Sequence, residues 1–351
     1  MSASTSPDSS VARARSLMQL NNAYFQSKVL QSACELGVFE VLADGPLTAE
    51  ELCAKTGIRH RMSREYFNAM VGLGLLDCDE GAYRNSALSR QFLVPGAEAY
   101  LGGTAQQHAK LHFLAWAKLS ESLRDGHAKG DVKHQGTSAF TDFYSDLDRT
   151  RRMMAHLDAH NGFMADDLAK RLDWRDYRHF ADVGGARGNV AARLVRAMPH
   201  LHGVSIDLPQ LAPLFEERMR ELGTTGKVEF LGLDFFAEPL PETDVLISGH
   251  VLPDWPAEQR EELVGKFAEA VRPGGTVVIY DAMVDDVTDS QDPYDPDALL
   301  RRIGSTLLRD THLTPLVSEY RELLEKAGFR FEQTFVSDTI ARDHVVVAVK
   351  P

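Results

Sequence analysis

The sequence is poor in cysteine, in long hydrophobic runs and in positive charge. Its three cysteines, Cys34, Cys53 and Cys78, include no CxxC pair, so we expect reduced thiols rather than a disulfide framework or a zinc ribbon. No run of about 18 apolar residues occurs, which excludes a membrane-spanning helix. The N-terminal residues lack the basic and then apolar order of a secretion signal, so we expect a cytoplasmic protein.

The charge balance is acidic. Lys and Arg number 38 against 51 Asp and Glu, which gives a net charge of −13. Nucleic-acid binding draws most of its affinity from cations placed on phosphates, so this balance argues against DNA or RNA as a partner. The 351 residues, 44% of them hydrophobic, suffice for about two globular domains.

The N-terminal third has the pattern of a winged helix. We expect residues 1–14 to form a disordered tail, after which apolar residues recur at the helical spacing of three and four. Thr48 and Glu51 predict a capping box at the start of a short helix. A second helix is predicted near residues 64–73, followed by a hairpin over residues 75–86. Residues 15–100 are therefore interpreted as a winged-helix module, either structural and dimerising or, less consistent with the acidic charge, DNA-binding.

The spacing of apolar residues changes in the second half of the chain. Residues 101–175 continue as helices that line a substrate or link the two domains. From residue 176 to 351, short β-rich runs alternate with helical segments, which predicts an α/β domain with a doubly wound parallel sheet.

A glycine turn after the first strand of this domain predicts a nucleotide site. Gly184, Gly185 and Gly188 allow a tight turn and a close backbone approach to a ligand. Asp207 follows the next strand, where a carboxylate can bind both hydroxyls of a ribose. NAD would leave a similar pattern, but Asp182 stands before the glycines and would repel a pyrophosphate. A cationic nucleoside without phosphates, such as S-adenosylmethionine, suits that carboxylate better.

Several motifs in order carry a family resemblance. They are DVGGARGN, IDLP, GLDFF, HVLPDWPAEQ, RPGG and SEYRELLEKAGF. Over residues 15–351 the chain resembles the S-adenosylmethionine-dependent O-methyltransferases of plants and bacteria. The resemblance implies a Rossmann-like methyltransferase domain behind a mostly helical winged-helix dimerisation domain, and hence a homodimer acting on a small molecule. It also implies that Gly184, Gly185 and Gly188 border the cofactor, that Asp207 and Leu208 lie at the ribose, and that Asp234 and Phe235 lie at the adenine.

The sequence departs from the family at its catalytic base. The family has a histidine in an HDW tripeptide, whereas this chain has Pro253, Asp254 and Trp255. His250 stands three residues earlier, and the two acidic positions of the family fall on Asp281 and His312. Two histidines and one carboxylate suit Fe(II) or Zn. We therefore predict that His250, Asp281 and His312 are catalytic residues that hold a divalent metal, as in the metal-dependent 2-oxoacid C-methyltransferases that this variant resembles.

This interpretation predicts C-methylation of a 2-oxo acid at C3 in natural-product metabolism, including antibiotic biosynthesis. The metal would act as a Lewis acid on the enolate. Three alternatives remain open. One is a metal-free O- or N-methyltransferase of a small aromatic natural product that works by positioning. Another is a relative that kept the cofactor without methylating. The third is a winged-helix transcription factor, which the acidic charge disfavours.

Two further sets of residues are candidates for substrate contact. Met153, His156 and His160 recur on one helix, which in the family borders the substrate, although a half-exposed helix face is an equally good interpretation. Arg13 and Arg15 precede the first long helix, which in the family reaches the partner subunit's pocket, where an arginine could bind a carboxylate.

Overall fold

The computed structural model describes residues 10–97, 99–130, 137–283, 295–308 and 315–351. It contains two compact units, one ending at Phe113 and the other beginning at Leu114. Within the described part of the chain, no helix is both long and apolar enough to cross a membrane.

The first unit is mostly helical and carries a small antiparallel sheet in the order β1-β3-β2. Its helices are α1 (Ser10–Asn21), α2 (Tyr24–Glu35), α3 (Val38–Val41), α4 (Ala49–Thr56), α5 (Ser63–Gly72), α6 (Ala87–Phe92) and α7 (Gly102–Gln107), with a 3₁₀ turn at His60–Met62 and a π-helical turn at His108–His112. Its strands are β1 (Leu47–Thr48), β2 (Leu76–Asp79) and β3 (Ala82–Asn85).

Local sequence explains both predicted features of this unit. The Glu51 amide donates to the Thr48 hydroxyl at 3.3 Å, and the Thr48 amide donates to the Glu51 carboxylate at 2.8 Å. The predicted capping box is therefore confirmed. Strands β2 and β3 are joined by Glu80 and Gly81, whose φ angles are 48° and 82°. Two positive φ angles define the type I′ turn that matches strand twist, so the predicted hairpin is confirmed.

The second unit is an α/β domain. Its helices are α8 (Phe113–Trp116, beginning at the division), α9 (Leu119–Asp125), α10 (Thr137–Tyr144), α11 (Leu147–Arg171), α12 (Asn189–Ala197), α13 (Ala212–Leu222), α14 (Ala257–Ala270), α15 (Pro296–Leu308) and α16 (Val317–Lys326). Its strands are β4 (His179–Val183), β5 (His202–Asp207), β6 (Val228–Gly232), β7 (Thr243–Gly249), β8 (Val271–Asp281), β9 (Arg330–Val336) and β10 (His344–Val349). Two 3₁₀ turns, Pro209–Leu211 and Leu252–Asp254, lie in its loops.

The strands form one sheet in the order β6-β5-β4-β7-β8-β10-β9. The first five are parallel, and β10 runs antiparallel to both β8 and β9. Apolar clusters cover both faces, so β7 is buried almost throughout, as expected of a parallel strand between two helical layers. Successive strands are added to the sheet on one side of β4 as far as β6, and then on its other side from β7 onward. Ligands of such sheets bind at the carboxyl ends of the strands beside this switch point. The Rossmann-like prediction is confirmed, but the sheet is mixed rather than wholly parallel, because β10 pairs antiparallel with both β8 and β9.

Candidate cofactor and acceptor site

The loop between β4 and α12 requires glycine at three positions. Gly184 and Gly188 have φ angles of 73° and 75°. A Cβ on Gly184 would lie 2.3 Å from the Val251 side chain, and one on Gly188 would lie 2.6 Å from the Phe215 ring. A Cβ on Gly185 would lie 2.5 Å from a serine hydroxyl. The loop therefore packs tightly, as the sequence predicted for a turn that a ligand approaches closely.

Asp207 holds this loop from the end of β5. Its carboxylate accepts hydrogen bonds from the Ala186 amide at 2.9 Å and from the Leu208 amide at 2.8 Å. Ala186 has a φ of 53°, in the left-handed region, at the position where the family usually has a third glycine. The structure thus brings the glycine loop, Asp207 and Leu208 together.

Two buried carboxylates face this loop. Asp182 is 2% exposed, and its Oδ2 atom has no hydrogen-bond partner among the residues that the structure describes. Burial, and then the charge of Asp207, raises the pKa of Asp182 to about 7. Burial raises the pKa of Asp207 to about 6, although its two backbone donors oppose this. Such a site favours a cation and disfavours phosphate, because a cation relieves the cost of the buried negative charge.

Asp234 and Phe235 lie beside Asp207. The Leu233 amide donates to the Asp207 carbonyl at 3.0 Å, which fixes the chain that follows β6 against the end of β5. Asp234 caps its own turn by accepting from a main-chain amide two residues on, at 3.0 Å. The Phe235 ring packs edge-on against Trp255, with 5.9 Å between ring centroids. An aromatic wall therefore adjoins the predicted ribose site, which fits a planar base.

These residues fit S-adenosylmethionine. The glycines let the loop pack closely against the strand ends, Asp207 offers a carboxylate at the end of β5, and the Asp182 oxygen that lacks a partner among the described residues favours a positive ligand. The cofactor would bring a sulfonium with a transferable methyl group to this edge of the sheet.

His250 follows β7 in a left-handed backbone conformation, with a φ of 57°. Its amide donates to the Tyr280 carbonyl at 3.1 Å. Its Nδ1 atom lies 3.3 Å from Oδ1 of Asp281, and its Nε2 atom lies 3.1 Å from Oδ2 of Asp343. Although burial of the ring opposes it, the charges and hydrogen bonds of Asp343 and Asp281 raise the pKa of His250 well above its usual range. Both ring nitrogens of His250 are therefore engaged by carboxylates, and these two neighbours favour the protonated ring.

The predicted metal site is not supported by this arrangement. In this arrangement both ring nitrogens of His250 face carboxylate oxygens, so neither is left free for a metal. Asp281 also accepts hydrogen bonds from the Ala282 amide at 2.8 Å and from the Tyr320 hydroxyl at 3.2 Å. The third predicted ligand, His312, lies outside the described residues. Within those residues, no group of three His, Cys, Asp or Glu side chains could hold a metal ion. The described part of the chain therefore does not support a divalent metal.

Asp343 is the residue that sequence reasoning missed. It lies just before β10, and the antiparallel pairing of His344 with Asp281 places it at the carboxyl edge of the parallel strands. Asp343 is 4% exposed. Burial opposes ionisation, but His250 and, at longer range, His160 and Arg301 hold the pKa of Asp343 below its usual value. The signal available in the sequence was an acidic residue directly before the last predicted strand, which could have indicated a side chain at the edge of the site.

The remaining candidates for substrate contact lie on two other helices, α11 and α1. His156 and His160 lie on α11 with 5.0 Å between ring centroids, and Met153 lies one turn before them. Arg13 and Arg15 lie exposed on α1 in the first unit, so the predicted disordered tail is wrong from Ser10 onward. Their roles in substrate contact stay predictions.

Comparison with known proteins decides the family. Residues 116–330 match the O-methyltransferase domain, and residues 18–95 match the O-methyltransferase dimerisation domain. The chain belongs to the O-methyltransferase family. It is 46% identical over 347 residues to the N,N-dimethyltransferase OxyT of Streptomyces rimosus, which covers 99% of both chains. It is 43% identical over 271 residues to the tetracenomycin polyketide synthesis 8-O-methyl transferase TcmO of Streptomyces glaucescens, covering 77% of this chain and 79% of that one.

A solved structure shares the fold. The human N-acetylserotonin methyltransferase in complex with S-adenosylmethionine superposes with a TM-score of 0.79 at 24% identity, covering 100% of this chain and 99% of that one. This protein is thus an S-adenosylmethionine-dependent methyltransferase of small molecules, and its N-terminal dimerisation domain supports a homodimer. The relatives do not support the predicted 2-oxoacid C-methyltransferase branch, because those named here methylate nitrogen or oxygen.

Proposed function

We propose that this methyltransferase transfers a methyl group to the nitrogen of an amino group on a small aromatic natural product, without a metal. The observation that carries the proposal is the contact geometry of His250. It stands three residues before the family's base position, and its two ring nitrogens contact the carboxylates of Asp281 and Asp343. The base position itself is Pro253.

A base matters more for oxygen than for nitrogen. A phenol must lose its proton as it attacks, which is why the family uses a histidine. A neutral amine attacks through its lone pair; the new N–C bond forms, the C–S bond breaks with its electrons going to sulfur, and the N–H proton leaves to water afterwards. A chain with proline at the family's base position, and with both nitrogens of His250 engaged by carboxylates, therefore suits an amine acceptor.

We assign the binding roles as follows. Asp207 and Leu208 bind the ribose, Asp234 and Phe235 border the adenine, and Gly184, Gly185 and Gly188 give the close approach of the loop. Asp182 faces the positive end of the cofactor. His250, Asp281 and Asp343 act as a rigid group that fixes the loop after β7, rather than as catalytic metal ligands.

The relatives support the same acceptor class. OxyT is named as an N,N-dimethyltransferase and matches this chain over its full length. A second candidate, O-methylation of an aromatic polyketide, is favoured by the family and by the name of TcmO. In that case the phenol would ionise in solution and the site would act by proximity alone. C-methylation of a 2-oxo acid has no comparable support.

The test uses acceptors that differ at one atom. Purified protein is incubated with S-adenosylmethionine and an aminoanthraquinone or the corresponding hydroxyanthraquinone, and products are followed by mass spectrometry. We expect one or two methyl additions on the amine and little on the phenol at pH 7. The amine rate should be nearly independent of pH around neutrality, because an aryl amine on a quinone ring is already unprotonated there. Prior treatment with a chelator should leave the rate unchanged.

Two outcomes would contradict the proposal. Faster methylation of the phenol at equal pH would favour O-methylation, and chelator-sensitive methylation of phenylpyruvate would restore the 2-oxoacid hypothesis. The matched variant is Pro253→His, which returns an imidazole to the family's base position. It should increase phenol methylation while leaving the amine rate nearly unchanged.

A further inference from the structure

The glycine loop contains a buried cation. Arg187 lies between Ala186 and Gly188, and its side chain is 7% exposed. Its Nη2 atom lies 2.6 Å from Oδ2 of Asp158 on α11, and its Nε atom donates to the same oxygen at 2.8 Å. A guanidinium cannot lose its charge in a protein. The glycine loop therefore carries the permanent positive charge of Arg187, although the buried carboxylates of Asp182 and Asp207 favour a bound cation at the same loop.

Asp158 is shared between two guanidiniums. Arg218 on α13 lies 3.2 Å from the same carboxylate oxygen. Arg218 has other partners, the Asn189 side-chain oxygen at 2.8 Å and Glu221 at 2.7 Å. Glu217, the nearby acid on α13, is held by Arg151 at 2.9 Å. Asp158 is thus the carboxylate in direct contact with Arg187 in the described structure.

We infer that Asp158 is a positioning residue that neutralises Arg187 and thereby lets the glycine loop accept a positively charged cofactor. The inference rests on the assignment of this loop as the cofactor site. Asp158 touches neither cofactor nor acceptor; it acts by compensating and orienting the guanidinium. Without its charge, Arg187 would repel any cation placed against the loop.

This role has a consequence that a purely structural ion pair lacks. S-Adenosylmethionine carries a positive sulfonium, whereas its demethylated product, S-adenosylhomocysteine, carries a neutral thioether at the same place. An uncompensated Arg187 should weaken binding of the first more than binding of the second. Distortion of the loop would weaken both alike.

The experiment is calorimetric titration of each ligand without acceptor. Asp158→Asn keeps an oxygen acceptor and removes the charge. It should lower the ratio of S-adenosylmethionine to S-adenosylhomocysteine affinity about tenfold, the order expected for one uncompensated charge about 12 Å from the sulfonium in a medium of effective dielectric constant about 20. Arg187→Met removes the cation and should raise the same ratio. The control is Asp166→Asn. Asp166 lies on α11, as Asp158 does, and its half-exposed carboxylate pairs with Arg193. This substitution should leave the affinity ratio unchanged.

The opposite signs keep the inference falsifiable. Equal weakening of both ligands by Asp158→Asn, or a ratio lowered or unchanged by Arg187→Met, would reduce the ion pair to a structural role. Removing one partner of a buried pair can unfold a protein. If Asp158→Asn does not fold, Arg187→Met decides alone, since Asp158 then keeps Arg218 as its partner. Because no acceptor is present, failure here is separable from failure of the proposed N-methylation.

Discussion

The Nε2 atom of His250 lies 3.1 Å from Oδ2 of Asp343, although 93 positions separate them in the chain. The contact joins the end of a parallel strand, β7, to the start of the antiparallel strand β10. It is possible because β10 enters the sheet from the edge at which the parallel strands end. The result is a histidine fixed between two carboxylates where a metal ligand was predicted.

Replacing His250 should change how stability depends on pH. The pKa of His250 is raised above its ordinary 6.5, so its contribution is complete below pH 6.5 and is lost as pH rises through the raised value. Asp343 has a lowered pKa, so its contribution is lost as pH falls from 3.8. His250→Gln should therefore cost about 1–2 kcal/mol, a figure discounted for partial exposure. The cost should be greatest between about pH 4 and 6.5.

Urea unfolding at pH 5.5 and at alkaline pH measures this difference. The control is His200→Gln, because His200 contacts the Trp174 carbonyl rather than a carboxylate. An equal cost of His250→Gln at both pH values would show that the imidazole is held neutral.

Asp182→Asn should stabilise the ligand-free protein and weaken its binding of S-adenosylmethionine. A buried acid with a pKa of about 7 instead of 3.8 binds its proton more tightly when folded, so stability falls as pH rises between these values. Removing the charge should raise the free energy of unfolding at pH 8 by up to about 4 kcal/mol, the equivalent of that pKa difference. The gain should vanish near pH 4. Melting curves at both pH values test this.

Asp244→Asn is the matched control for that variant. Asp244 is also 2% exposed, but it accepts from the Arg178 amide at 2.6 Å and pairs with Arg272 at 2.9 Å. The same substitution there should destabilise at pH 8. If both variants destabilise, then Asp182 has a partner that offsets its burial.

Self-association should depend on the apolar side chains of α1. Leu17 and Leu20 are 66% and 75% exposed in the single chain, which is unfavourable unless a second copy covers them. The double variant Leu17→Asp/Leu20→Asp should sediment as a monomer at micromolar concentration, whereas the native chain should sediment as a dimer. Leu123→Asp, at a position that is 77% exposed on α9, serves as the control and should stay dimeric. A dimeric double variant would place the interface elsewhere.

The features predicted correctly from sequence are those that neighbouring residues determine. Thr48 and Glu51 cap α4 because both partners lie within one turn. The glycines after β4 are needed because of local φ angles and close packing. Alternating strands and helices predict the sheet because each strand must be buried on both faces.

The failures involve partners that are distant in sequence. The sequence grouped His250 with Asp281, and the structure brings these two together at 3.3 Å. It did not predict Asp343, which contacts the other ring nitrogen and which only the antiparallel strand brings close. Nothing near Arg187 in the sequence indicates its partner, because Asp158 comes 29 positions earlier on another element. Residue type alone indicates that a buried charge needs a partner, but the fold determines which one.

Ala186→Gly should stabilise the protein without loss of cofactor binding. Ala186 has a φ of 53°, and a left-handed conformation costs an L-residue about 1–2 kcal/mol. Glycine removes that cost but adds about 0.4–1 kcal/mol of unfolded-state entropy, so the net gain should be about 0.5–1 kcal/mol. The Ala186 amide that donates to Asp207 is retained, so calorimetry should give an unchanged affinity for S-adenosylmethionine. A glycine-to-alanine change two residues later, Gly188→Ala, should destabilise the protein, because φ at Gly188 is 75° and the new Cβ would lie 2.6 Å from the Phe215 ring. A lower melting temperature for Ala186→Gly would mean that the loop does not hold this residue in the left-handed region.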